Sequence, residues 1–394
     1  MGEKQNGAMA GTDKKTAKDF IYLAACALNG AQPDESYIDK MNMPAVMQLA
    51  QLHNMGALIA HAYTRSEAYK NLPKAEAERW EAVSFAAVRG FVFKRKELER
   101  VLAALEKAGI WYCPIKGIEI AACYPIPGLR EMADCDVLVD ENRPEDVKSV
   151  MESLGYSLEL YGESNHDVFH RQPMYNFEMH RQLFNLEEIQ AFDRYYENVK
   201  ERLVKDEGNA YGFHFSHEDE YIFNIAHSFK HFRKGGTGMK ALADAFAIRR
   251  KYPDMDEAYM MAELKKLELS NFERRLRETA EALFGQSDNI YRQELSKDQE
   301  EIVAYLLGSG AYGTRENTMH NALVRLGNEE KISLKTRIRY ILDRIYPKGF
   351  RYEEKYAFFY RHKWAYPFLP IYRLFVRGDV KSAIREAKRT MKTK

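Results

Sequence analysis

Residues 115–140 read IKGIEIAACYPIPGLREMADCDVLVD, and the way this stretch folds decides how the rest of the chain is read. It holds a Lys-Gly turn, an arginine, and two aspartates one residue apart on an expected strand. Strand side chains alternate, so Asp134, Asp136 and Leu138 point one way while Cys135, Val137 and Val139 point the other. Two carboxylates on one face repel each other unless a cation lies between them. Hard divalent cations such as Mg²⁺ take oxygen ligands and commonly serve phosphate chemistry. Two solvated acids at a strand end explain the same residues, so the neighbours must decide.

Further along, MYNFEMHRQLF (174–184) is a second period-2 segment, in which Glu178 and His180 share a face. Beside the first strand, it would make Glu178 a third carboxylate aimed at the same place. Three acids from adjacent strands can hold two metal ions and clamp an in-line displacement at phosphorus. Lys116 and Arg130 lie close to the acids in sequence and would bring positive charge to phosphates. His180 would orient Glu178 or meet the acceptor.

Lys116-Gly117, Tyr124-Pro125, Pro127-Gly128-Leu129-Arg130, Asp134-Cys135-Asp136-Val137-Leu138-Val139 and Glu178-Met179-His180 together resemble the uncharacterised bacterial nucleotidyltransferases of the polymerase-beta-like superfamily. The motif-bearing part covers about residues 102–183. The resemblance implies that Asp134, Asp136 and Glu178 are metal carboxylates for Mg²⁺ (or Mn²⁺), with a nucleoside triphosphate as donor. It departs from most members at one point: they carry Gly-Ser after the first strand, whereas Gly117 is followed by Ile118 and Asp134 lies 17 positions on. That weakens the phosphate-cradling role of Lys116-Gly117 more than the metal reading.

At 394 residues the chain has room for two or three domains. With 45% hydrophobic and 30% charged residues it reads as globular and not disordered. No apolar run approaches a membrane span, and the start, MGEKQNGAMAGTDKK, lacks the apolar core of a signal peptide. Cys26, Cys113, Cys123 and Cys135 have no metal-ligand spacing and read as reduced and buried, so a cytoplasmic location is expected. Residues 331–394 hold 18 Lys and Arg against 5 Asp and Glu, a charge of +13 that leaves −12 on the remainder. Such an end suits an anionic partner, or balances the acidic body of its own chain.

The expected organisation is a loose tail (1–15), a helical region (16–98), a small mixed-sheet α/β domain carrying the acids (99–205), and a C-terminal helical domain with the basic end (206–394). The fold class is α+β. KDFIYLAACALNGA and MPAVMQLAQLHNMGALIAHAY repeat apolar residues at helical spacing, the second containing His53 and His61, which read as packed. NRPEDVKSVMESLGY has Pro144 at the start of a helix and Gly155 past its end. Gln172-Pro173 breaks a hairpin.

In YIFNIAHSFKHFRKGGTGMKALADAFAI (221–248), His227, Lys230 and His231 share a helix face. A glycine-rich turn and Lys240 follow. A cationic helix end, a flexible loop and a new helix start suit a triphosphate, or a capped, solvated terminus; the resemblance, in which related proteins share this H-x-x-K-H and Gly-Met-Lys pattern, favours the nucleotide side. Gly308-Ser-Gly310-Ala-Tyr-Gly313 matches a dinucleotide-binding pattern but follows a helix, so it reads as a loop. The aromatic, basic run at 356–376 reads first as packing of a C-terminal helix pair.

The expected activity is Mg²⁺-dependent transfer of a nucleoside monophosphate to an acceptor hydroxyl on a small molecule or sugar. Two other classes stay open: a non-catalytic nucleotide-binding or interaction module, and an RNA-modifying, toxin-like nucleotidyltransferase.

Overall fold

The computed structural model describes residues 13–162, 164–184, 189–314, 317–319, 321, 334–346 and 356–377. The chain divides into two units, Met1–His231 with Thr237–Tyr312, and Phe232–Gly236 with Gly313–Lys394.

In the first unit, helices α1 (Lys14–Asn29), α2 (Met43–Leu52), α3 (Gly56–Tyr63) and the long α4 (Lys74–Lys107) precede the sheet. Lys14 and Lys15 already belong to α1; the rest of the expected tail, apart from Asp13, lies outside the described residues. Then come β1 (Tyr112–Ile115), α5 (Gly117–Ala121), β2 (Cys135–Val139), α6 (Pro144–Ser153), β3 (Ser157–Leu160), β4 (His166–Arg171) and β5 (Tyr175–His180). These five strands form one mixed sheet in the order β1-β2-β5-β4-β3. Within it β2 and β5 run parallel, and the other neighbours antiparallel. The architecture is α+β, a small mixed sheet flanked by helices.

Period-2 alternation makes one face of this sheet apolar. Tyr112, Cys135, Val137, Val139, Phe169, Phe177 and Met179 bury against Leu98, Val101 and Leu105 of α4 and Val147 and Met151 of α6. Gly155, at φ +83°, ends α6 in the left-handed conformation that glycine adopts without cost. The loop into β2 passes so close to α4 that a Cβ on Gly128 would stand 2.5 Å from the Val88 Cα. Lys94 of α4 then donates to the carbonyls of Met132 and Ala133, which fixes the chain just ahead of the aspartates.

The helix expected over MPAVMQLAQLHNMGALIAHAY is two helices, broken at His53 and Asn54. Asn54 adopts φ +53°, and His53 is buried with its Nδ1 accepting the Met239 N–H at 3.2 Å. A tertiary bond to a distant segment therefore overrides the local helical pattern. A two-stranded sheet of β6 (Leu203–Lys205) and β7 (Phe213–Phe215) was also not legible in the sequence. Both strands are too short to show a period.

Helices α7 (His217–Lys234), α8 (Lys240–Lys251), α9 (Glu257–Lys266), α10 (Ser270–Phe284) and α11 (Lys297–Ser309) follow. Gly310, in the Gly-rich decoy after α11, sits against Leu52, and the Ala311 N–H donates to Leu52 O at 2.9 Å. In the second unit, α12 (Leu334–Ile345) and α13 (Leu369–Arg377) are tied by Arg373, which donates to Ile345 O at 3.0 Å. Much of the basic end, 347–355 and 378–394, lies outside the described residues. No described helix is long and apolar enough to cross a membrane.

Candidate active site

The parallel register of β2 and β5 sets Asp136 beside Glu178 and Leu138 beside His180. Because their strand neighbours fill the core, these polar side chains emerge on the opposite face. Lys116, at the end of β1, reaches back over that face: its Nζ donates to Asp136 Oδ1 at 2.8 Å. His180 Nε2 lies 2.7 Å from the same oxygen and 3.5 Å from Glu178 Oε2. Lys116 adopts φ +58° and ψ −115°, a backbone state costing about 1–3 kcal/mol for a non-glycine residue. Its ion pair with Asp136 is one return on that cost. Asp134 precedes the first residue of β2.

The charges respond to this crowding. Burial pushes the Asp136 carboxyl up, but Lys116 and the His180 hydrogen bond outweigh it and hold it well below the usual range. Burial also opposes Glu178, whose carboxyl is nevertheless lowered by the His180 hydrogen bond. Asp134 goes the other way: burial, then Asp136, then Glu178 raise it. Lys116 and His180 thus compensate Asp136 and Glu178, while Asp134 stays the strained carboxylate of the three. His166, on the adjacent strand β4, adds an imidazole, with Nε2 3.5 Å from Glu178 Oε2. One ligand atom each from His166, Glu178 and His180 lies within 4.8 Å of the others. Burial and the nearby His180 lower the His166 imidazole.

The H-x-x-K-H face of α7 closes over the same region. His227 Nε2 stands 3.2 Å from His231 Nε2, and Lys230 lies 5.8 Å from the centre of the Phe184 ring. Burial, then Lys116, His231, Lys230 and His180, hold the His227 imidazole well below its ordinary value, so His227 is neutral beside a cationic group. Lys240 donates to Glu131 O at 2.6 Å. Burial and Arg130 bring its ammonium down to about 8.

Two expectations change. Arg130 does not reach out to the acids of the β2–β5 face. Its Nε and Nη2 donate to the two oxygens of Asp244 in α8, each at 2.8 Å, and its Nη1 donates to Gly117 O at 3.1 Å. Tyr124 adds a third bond to Asp244 at 2.7 Å. Arg130 thus anchors the Lys116-Gly117 turn, and a buried Asp 114 residues away satisfies it. The glycine-rich turn is packed, not open: a Cβ on Gly238, at φ +69°, would stand 2.9 Å from His53 Nδ1 and 3.0 Å from Gly310 O.

His166 and Asn165 were missed in the sequence. Asn165 is buried, donates from Nδ2 to Gln182 O at 3.0 Å and Leu183 O at 3.2 Å, and touches both site histidines. The available signal was weak: His166 opens the strand that hairpins with MYNFEMH, which places it across from His180.

A family model described as uncharacterised nucleotidyltransferase matches residues 39–285. No curated protein and no solved structure matches the chain significantly. The matched segment covers more than half of the chain and all of the clustered side chains above, and on that ground the protein belongs to the uncharacterised nucleotidyltransferase family.

Proposed function

We propose that the chain moves a nucleoside monophosphate from a nucleoside triphosphate to the hydroxyl of a small-molecule or sugar acceptor, with Asp134, Asp136 and Glu178 as the metal-holding carboxylates. The observation that carries this is the pairing of Asp136 with Glu178 on parallel neighbouring strands, under a lysine and a cluster of histidines. Bound Mg²⁺ or Mn²⁺ would neutralise phosphate charge and orient the reacting oxygens.

The chain's own groups do the remainder. Lys116 sets positive charge beside the carboxylates, where triphosphate oxygens would lie, and Lys230 adds charge beside His227. Lys240 and Arg130 hold the segments around Glu131 and Gly117 in place. Glu178, less tightly held than Asp136, takes the proton of the acceptor hydroxyl as its oxygen attacks the α-phosphorus. The bond from that phosphorus to the bridging oxygen breaks, and pyrophosphate leaves with the electron pair. Neutral His227 contributes a hydrogen-bonding edge without adding charge.

The test is calorimetry with Mg²⁺ and each of ATP, CTP, GTP and UTP, together with pyrophosphate release in the presence of candidate acceptors. Asp136→Asn is expected to lower transfer by at least about a hundredfold while the fold survives. Failure of every nucleotide to bind, or equal transfer by the variant, would remove the carboxylates from the chemistry.

A further inference from the structure

Asn165 lies between the two histidines and sets where the proton sits on His166. Its Nδ2 is committed as a donor to Gln182 O and Leu183 O, which fixes the orientation of the amide. His180 Nδ1 lies 3.5 Å from that Nδ2, whose two hydrogens are already spent on the carbonyls, so the tautomer of His180 follows from its other nitrogen: Nε2 lies 2.7 Å from Asp136 Oδ1 and carries the proton that this carboxylate oxygen accepts. On the other side, Asn165 Oδ1 lies 3.3 Å from His166 Nδ1. That oxygen also accepts from Ser164 Oγ at 3.1 Å, and its remaining lone pair would repel a bare ring nitrogen, so His166 carries its proton on Nδ1 and turns a bare Nε2 toward Glu178.

Asp136 and Asn165 therefore give the two rings opposite tautomers. His180 becomes a donor that positions Asp136; His166 becomes an acceptor. Its Nε2 and Glu178 Oε2 then face each other at 3.5 Å with no hydrogen to share. That distance exceeds the roughly 2.7–2.9 Å of a charge-assisted bond. It matches the spacing of about 3.4 Å between two donors each about 2.1 Å from a common ion at tetrahedral angles. The Nδ1–H held by an amide oxygen is also the outer contact that metal-binding histidines make.

We propose that His166 Nε2 and Glu178 Oε2 form a mixed nitrogen–oxygen cation site within the nucleotidyl-transfer centre, selecting an imidazole-tolerant divalent ion (Mn²⁺, Co²⁺ or Zn²⁺) over Mg²⁺. Imidazole suits these ions, whereas Mg²⁺ keeps to oxygen ligands and water. Asn165 is the positioning residue of this site. The location rests on the nucleotidyl-transfer reading, but the binding does not need turnover.

The experiment loads the full-length protein with Mn²⁺ alone. Free Mn²⁺ is followed by electron paramagnetic resonance, and the bound ion is examined for nitrogen hyperfine modulation. Wild type is expected to show imidazole nitrogen coupling, and His166→Ala to lose it and to bind Mn²⁺ at least about tenfold more weakly. Absence of nitrogen coupling in wild type, which needs no variant to fold, overturns the proposal. Unchanged Mn²⁺ affinity in a folded His166→Ala does so too. Full Mg²⁺-supported transfer by His166→Ala with no Mn²⁺ preference would sink the site and leave the transferase reading intact. Nitrogen-coupled Mn²⁺ in a protein that binds no nucleotide would do the reverse.

Discussion

Lys116 and Asp136 depend on each other more than surface ion pairs do. Both side chains are largely withdrawn from water, at 16% and 6% exposure, so removing Lys116 leaves a buried Asp136 carboxylate that keeps the His180 hydrogen bond but loses its ion pair. Lys116→Met is expected to destabilise the fold by about 3 kcal/mol, read by urea unfolding at pH 7. The pH dependence separates this charge effect from lost packing. The Asp136 carboxyl is held below its unfolded value, so its stabilisation is present above the unfolded value near 4 and is lost as pH falls through the folded one. Once Asp136 is protonated it no longer needs a cation. The deficit of Lys116→Met should therefore shrink as pH drops below about 4; a deficit that stays constant with pH would assign it to packing.

The turn that carries Lys116 is held by an element far away in sequence. Arg130 bridges Gly117 O and the Asp244 carboxylate of α8 with a planar fork that lysine cannot reproduce. Arg130→Lys is expected to cost about 2–4 kcal/mol of stability and to loosen the Lys116 turn, with the loss visible in unfolding before any nucleotide is added. A variant that folds with wild-type stability but binds nucleotide poorly would instead return Arg130 to the phosphates. This pair shows where sequence reading stops. The facing of Asp136, Glu178 and His180 could be read, because each alternates with a core residue on a short strand. Which strand lies beside which could not, since the parallel β2–β5 register is set by packing against α4 and α6 and not by local pattern. Asp244 gave no local hint of its partner. Asn165 matters only because its amide is pinned by two backbone carbonyls. The break at His53 is likewise a contact with Met239, invisible to helical periodicity.

Across the whole molecule, buried ionisable groups pull stability in opposite directions with pH. His53, lowered to about 4 by burial, and His227, held well below its ordinary value by burial and then by Lys116, stay neutral in the fold. The unfolded chain takes up protons on them first, so their contribution is lost as pH falls below about 6.5. Glu220 opposes this. Burial, then the like charge of Glu119, raises its carboxyl to about 8, and its Oε1 is buried without a hydrogen bond. A raised carboxyl is fully stabilising below its unfolded value near 4.5 and becomes a liability as pH climbs through about 8, where the fold must ionise it without a partner. Each pH unit between the two values corresponds to about 1.4 kcal/mol at most, and residual hydration reduces it. Glu220→Gln keeps the shape and removes the titration. It should therefore melt like wild type near pH 5 and be more stable by about 1–3 kcal/mol at pH 8.5, as read from thermal unfolding across that range. Parallel melting curves for the two proteins would show that Glu220 is solvated or paired in solution. In that case the high-pH limb of the stability profile would have to come from another group, with Lys240 the wrong sign to supply it: an ammonium lowered to about 8 gains stability for the fold as pH rises past that value.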